Sequence, residues 1–161
     1  MPHNYKSGLG NSAAYMVSGT PWITGSVDVG AGQEVKIEFP RVTNNFRIFA
    51  SASNGDATPV GVPRIRVHFN STSSAVTLGN NGMSHGPGSP NVITQYHYLQ
   101  LDGDEESYGF SVKCKEVYIT AISDGSGFQC VASLTGIGRD SMYELTGSGL
   151  TTKGNPWDDS I

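Results

Sequence analysis

The chain has 161 residues, a net charge of −4, 37% apolar residues and only 15% charged residues. This length predicts one domain that can bury a core without metals or disulfides. The ten basic residues form no cluster, which argues against a nucleic-acid partner, and the lack of an apolar run of ~18 residues argues against a membrane span.

The N-terminal region is rich in Gly, Asn and Ser. Residues 1–14 show no apolar periodicity, which predicts an extended arm that becomes ordered only against a neighbouring molecule. The chain does not begin with a basic region followed by an apolar run, so we expect synthesis in a cytoplasm. Residues 18–21 predict a turn before Trp22 and Ile23, and residues 26–29 predict a short strand.

Three strongly patterned strands follow, at residues 34–39, 45–52 and 64–69. Apolar and polar side chains alternate in each, which is typical of strands with one buried face. Residues 40–44, which begin with Pro40, predict a turn between the first two strands.

The middle of the chain is weakly patterned. Residues 79–90 predict a long surface loop, a frequent location of function. Residues 93–101 then predict a strand with Tyr96 and Tyr98 on one face.

The C-terminal half predicts further strands. Apolar residues occupy the even positions of residues 110–114 and the odd positions of residues 117–121. This change of the buried face indicates a bulge or turn at Lys115 and Glu116. Residues 124–127 predict a hairpin turn before the last strand at residues 128–134.

Seven to nine strands without a helical period predict an all-β fold, an antiparallel β-sandwich of jelly-roll type. The predicted organisation is an N-terminal arm at 1–14, the sandwich at 15–137 and a C-terminal arm at 138–161. The side chains expected inside are Val35, Ile37, Phe39, Ile48, Val67, Phe110, Val112, Ile119 and Leu134.

No motif in the sequence predicts catalysis or a cofactor. The acidic cluster at 102–106 lacks calcium-loop spacing, and the four histidines are dispersed. We therefore expect neither enzyme activity nor a bound metal. Cys114 and Cys130 are expected to be buried free thiols, with a disulfide as the alternative.

Aromatic and arginine side chains are the candidates for an interface, because these residue types are enriched where proteins meet. For the arginines, a solvent-facing role is the alternative. For Trp22 and Trp157, the alternative is packing on the domain's own core. The candidate residues are Tyr5, Trp22, Arg47, Arg64, Arg66, Tyr143 and Trp157.

The segment 4–26 resembles the openings of small structural proteins of marine virions. It carries an Asn/Ser/Gly arm, a Val-Ser-Gly-x-Pro turn at 17–21 and a Thr-Gly-Ser step at 24–26. Residues 37–43 and 132–137 look like further strands of the same group. The resemblance implies a capsid decoration (cement) protein or minor capsid protein of a tailed phage or related virus, and it brings no catalytic residues.

Two functions follow as hypotheses. The first is a virion structural protein on the capsid surface that binds the major capsid protein and copies of itself as a homotrimer, without nucleic acid or membrane. The second is a receptor- or carbohydrate-binding module of a viral fibre or tail, which would use Trp22, Tyr96, Tyr98 and the loop at 79–91.

Overall fold

A computed structural model describes residues 8, 10, 19–52, 63–69, 71, 98–103 and 106–142. Within these residues the chain forms eight strands and a short 3-10 helix at Arg139–Ser141. The strands are β1 Thr20–Val29, β2 Glu34–Glu38, β3 Arg41–Ala52, β4 Ile65–His68, β5 Leu99–Leu101, β6 Ser107–Phe110, β7 Glu116–Ala121 and β8 Ser126–Gly138.

The strands form two four-stranded antiparallel sheets. Sheet I has the order β1-β8-β3-β6, and sheet II has the order β2-β7-β4-β5. The pairs β1–β8, β2–β7, β3–β6 and β4–β5 are nested, as in one long hairpin wrapped so that successive pairs fall alternately in the two sheets. This is the double-sheet arrangement of an eight-stranded jelly roll, and it confirms the predicted fold class.

The core lies between the two sheets. Phe39, Phe46 and Ile48 are fully buried there, and the Phe46 ring stacks on that of Phe110 at a centroid distance of 4.8 Å. All nine side chains that the alternation places inside belong to this core or pack against it. Val35, Phe110 and Val112 are only partly buried.

The chain passes between the sheets through short connections that the alternation does not reveal. Pro40 ends the β2 ladder as expected, but β3 begins at Arg41 in the other sheet, so the predicted turn at 40–44 is wrong. The parity change near Lys115 likewise marks a crossing, from β6 in sheet I to β7 in sheet II. Alternation identifies the buried side of a strand, and it does not say which sheet the strand joins.

The predicted hairpin at 124–127 is also wrong, because β7 lies in sheet II and β8 in sheet I. Cys130 is therefore opposite Thr24 and Ile48 in the ladders of sheet I. Both cysteines are buried free thiols, and burial raises the pKa of Cys114 to about 11 and that of Cys130 to about 12.

Two tight turns meet at one end of the sandwich. Gly32 and Gly125 have φ angles of 74° and 73°, a conformation that side chains with a Cβ rarely adopt. The Ala31 N–H donates to Asp124 Oδ1 at 3.0 Å, and the Gly32 N–H donates to the Ala121 carbonyl at 2.9 Å. These bonds hold the β1–β2 connection against the β7–β8 connection.

The boundaries of the elements differ from the predicted ones in three further places. Trp22, Ile23 and residues 26–29 belong to one continuous strand, β1. Of the strand predicted at 93–101, Leu99–Leu101 is observed, and residues 93–97 lie outside the described part. Strand β8 continues to Gly138 and Met142 is buried, so the first residues of the predicted C-terminal arm pack on the domain.

Candidate protein interface

The outward side of sheet I exposes apolar side chains. Ile23 and Val27 of β1 are 71% and 81% exposed, and Val131 of β8 is 40% exposed. Ile23 and Val131 belong to the parity that points away from the core, because their neighbours in the strand are more buried. Val27 lies in the bulge between Ser26 and Val29. Strands with one wet face normally carry polar side chains there, so this set calls for an explanation.

Cross-strand register brings Ile23 and Val131 together with Arg47. Ile23 is opposite Val131, Val131 is opposite Arg47, and Arg47 is opposite Gly109. The row therefore runs across all four strands of sheet I. Neighbouring strands lie ~4.8 Å apart, so this row forms a continuous patch.

A depression of about 610 Å³ lies beside this row. Val131 and the half-buried Phe49 supply apolar surface, and Asn45, Ser111 and Ser133 supply polar groups. Arg47 is the only ionisable residue among those that line it. We call the depression together with Ile23 and Val27 the sheet I face.

The outward side of sheet II has the opposite character. Lys36 Nζ lies 2.8 Å from Glu38 Oε1 and 2.9 Å from Glu116 Oε2, and Arg139 lies 3.3 Å from the same Glu38 oxygen. The hydrogen bond from Lys36, followed by that from Arg139, lowers the pKa of Glu38 to about 2. The hydrogen bonds that Lys36 donates to Glu38 and Glu116 raise the pKa of Lys36. These charges compensate one another within the chain.

A buried polar group completes the sheet II surface. The side chain of His68 is fully buried, with Nε2 at 2.8 Å from Thr120 Oγ1 and 3.8 Å from Glu34 Oε2. The hydroxyl of Ser71 donates to Glu34 at 2.7 Å. The Tyr118 ring stacks on His68 at 5.9 Å. The sheet II surface is therefore largely occupied by contacts within the chain, which makes the sheet I face the better candidate for binding another molecule.

The structure separates the predicted interface residues. Arg47 is exposed on the sheet I face. Arg66 lies on sheet II, where its guanidinium carbon is 4.3 Å from the Tyr98 ring centroid and Nε donates to Gln100 at 3.4 Å. Arg64 is exposed just before β4. The three arginines thus do not form one site.

Trp22 packs on the domain's own core, which was the alternative to an interface role. Its ring meets that of Phe39 edge-on, with centroids 5.3 Å apart. Tyr5, Tyr143 and Trp157 lie outside the described residues.

The residues that the sequence did not single out are Ile23, Val27, Val131 and Phe49 as parts of one surface. Their signal is present for Ile23, Val131 and Phe49, because each is an apolar residue at the outward parity of its strand. Their proximity depends on β8 lying between β1 and β3, and no local pattern specifies that pairing.

The sequence matches no protein-family model and no curated protein. In the described ranges, no group of three or more His, Cys, Asp or Glu residues is placed to hold a metal ion. No helix among the described residues is long and apolar enough to cross a membrane. Function is therefore inferred from the geometry of the sheet I face.

Proposed function

We propose that this protein is a non-enzymatic structural protein of a virion, a capsid decoration (cement) protein that binds and stabilises the lattice of the major capsid protein. The observation that carries the proposal is the sheet I face, where the exposed Ile23 and Val131 lie in one row with Arg47, and Val27 is exposed farther along β1. An exposed apolar patch on a stable domain is typical of a surface that another protein covers. The resemblance of residues 4–26, 37–43 and 132–137 to virion proteins indicates which kind of partner to test.

The fold is compatible with this function and does not by itself select it. Eight-stranded jelly rolls occur in viral capsid proteins, in lectins and in cupins, so the site has to decide between them. A surface with few charges and exposed aliphatic side chains suits a lattice of protein subunits. Burying such a surface costs little desolvation of charge.

The receptor- or carbohydrate-binding alternative has less support. A sugar platform requires aromatic rings on a common surface. Trp22 packs toward the core from sheet I, whereas Tyr98 lies over Arg66 of sheet II. Tyr96 and the loop at 79–91 lie outside the described residues. A glycan array probed with the purified chain tests this alternative directly.

The decisive test is the location of the protein in the particle. Virions purified on a density gradient from the source culture should contain the protein in many copies, at a fixed ratio to the major capsid protein by quantitative mass spectrometry. Recovery of the protein only in particle-free fractions would contradict the proposal. The proposed homotrimer is tested separately, by sedimentation velocity of the isolated chain at micromolar concentration.

A further inference from the structure

The chemistry of the sheet I face narrows the kind of partner segment that fits it. Arg47 lies at the centre of the row that runs from Ile23 through Val131 to Gly109. Val131 and Gly109 are paired with Arg47 in the ladders of sheet I, and neither is acidic. The depression therefore presents one positive charge among aliphatic, hydroxyl and amide groups.

The guanidinium of Arg47 has no ionic partner among the residues that the structure describes. The guanidinium carbon lies 5.9 Å from the centroid of the Phe49 ring. On the other side is Gly109, where a Cβ would lie 3.5 Å from Arg47 Nε. The absence of a side chain at position 109 leaves this flank of the guanidinium open.

Three kinds of occupant can be compared by charge. A second copy packed on this same face by a two-fold axis would bring one Arg47 toward the other with no acid lining either depression, which is unfavourable. A nucleic-acid backbone would require several clustered cations, and this face has one. A protein segment with one carboxylate between apolar residues satisfies the guanidinium and covers Ile23 and Val131 as well.

We propose that the sheet I face binds an extended segment of a partner protein through one Asp or Glu side chain, which pairs with Arg47 while flanking aliphatic side chains cover Val131 and Ile23. Ser111, Ser133 and Asn45 line the same depression as Arg47 and would hydrogen-bond the backbone of that segment, the two serines through their hydroxyls and Asn45 through its amide oxygen, since its amide nitrogen donates to Asn44. This inference rests on the proposed function, because it names the chemistry by which the decoration protein recognises the capsid protein.

The test is a titration of the isotope-labelled full chain with a short peptide, followed by backbone amide chemical shifts. The probe is the pentapeptide Thr-Val-Glu-Val-Thr, acetylated and amidated so that its Glu is its only charge. The comparison peptide has Gln in place of Glu. We expect shifts confined to residues 21–27, 45–49, 107–111 and 129–133, and an affinity about fivefold higher for the Glu peptide, which is the upper range for an exposed ion pair. The preference should shrink as salt is raised.

Variants of the chain make the test specific. Arg47→Gln should abolish the preference for Glu over Gln, and Arg47→Glu should instead favour a peptide with Lys at the central position. Arg64→Gln is the matched control, because it removes one exposed positive charge away from the sheet I face and should leave the preference unchanged. All three variants should melt within a few degrees of the wild type, since exposed substitutions usually change stability little.

Three results would overturn the inference. These are shifts that map away from the sheet I face, equal affinity for the Glu and Gln peptides, or the same loss of preference in Arg64→Gln as in Arg47→Gln. Each of these outcomes leaves the proposed function standing if the wild-type chain is abundant in virions. Conversely, absence from virions contradicts the proposed function whatever the peptide titration shows.

Discussion

At the scale of single residues, Phe39 is a fully buried side chain that contacts other aromatic rings of the core. Its ring centroid lies 5.3 Å from that of Trp22 and 5.5 Å from that of Phe46. It also lies next to the crossing from β2 to β3, where the Phe39 N–H donates to the Lys115 carbonyl at 2.9 Å. One side chain therefore fills the core at the point where the two sheets are joined.

We predict that Phe39→Ala lowers the free energy of unfolding by ~3–5 kcal/mol, because it removes a fully buried ring and leaves a cavity. Urea denaturation monitored by circular dichroism measures this loss. Phe49→Ala is the control, since Phe49 is only half-buried on the opposite side of sheet I, and it should cost clearly less. An equal loss for the two variants would show that Phe39 has no special place in the core.

Glu38 makes a residue-scale prediction about pH. Its pKa is lowered from an ordinary 4.5 to about 2, first by Lys36 and then by Arg139. A group whose pKa falls on folding stabilises the folded state above its unfolded pKa and loses that contribution as the pH drops toward its folded pKa. Because Glu38 is exposed, the effect should be small.

We therefore expect wild type to be slightly more stable than Glu38→Gln at pH 6, and this difference to decline between about pH 4.5 and pH 2. Urea unfolding of both proteins across this range provides the measurement. The comparison cancels the titration of carboxyl groups that the two proteins share. A stability difference that stays constant down to pH 2 would show that the ion pairs of Glu38 do not act on folding.

At the scale of elements, the long ladder of β1 against β8 needs two strands to approach closely near the bulge between Ser26 and Val29. Gly127 of β8 makes this possible, because a Cβ there would lie 2.6 Å from the carbonyl oxygens of Ser26 and Val27. The clash would be with backbone atoms, which cannot rotate away as a flexible side chain can.

Gly127→Ala should accordingly destabilise the protein by about 1–3 kcal/mol, the usual range for inserting a methyl group where there is no room. Gly138→Ala at the end of the same strand is the matched control, because nothing lies within 4 Å of its added Cβ. Thermal melting of the two variants is sufficient to compare them. If both melt like the wild type, the close approach of β1 and β8 at Gly127 is not a structural requirement.

The element scale also shows what could be predicted from the sequence. The alternation of apolar and polar residues around Ile37, Ile48 and Ile119 predicts the strands that contain them, because a period of two is a local property of the sequence. Strand pairing is not local. The two residues Phe39 and Pro40 connect β2 in sheet II to β3 in sheet I, and no pattern in residues 34–52 distinguishes that crossing from a hairpin.

The candidate site was predictable only in part, for the same reason. Arg47 was identified as a candidate interface residue because it is a cation on a strand face. Its association with Ile23 and Val131 requires β8 to lie between β1 and β3, and Ile23 and Val131 are more than a hundred residues apart in sequence. Arg66 was also predicted as an interface residue because arginine is enriched in interfaces. In the structure its guanidinium lies over the Tyr98 ring and donates to Gln100 within the chain.

At the scale of the whole molecule, the two outer surfaces of the sandwich differ in chemistry. Sheet II pairs its charges internally through Lys36, Glu38 and Glu116. The sheet I face exposes aliphatic side chains and one arginine. Water solvates the first surface at little cost, whereas covering the second gains hydrophobic free energy. The molecule thus has one face suited to solvent and one suited to a partner.

The most direct test of this account is binding of the full chain to purified particles from which the protein has been removed. The sheet I face is altered by Ile23→Thr and Val27→Thr together, which keep β-branched side chains and so preserve strand preference. The control combines Lys36→Gln with Glu38→Gln on sheet II and leaves the net charge unchanged.

We predict that the sheet I variant binds at least about tenfold more weakly than wild type, since two aliphatic side chains lose their burial, while the sheet II variant binds normally. Unchanged binding of the sheet I variant, or an equal loss in both variants, would contradict the assignment of the interface to the sheet I face.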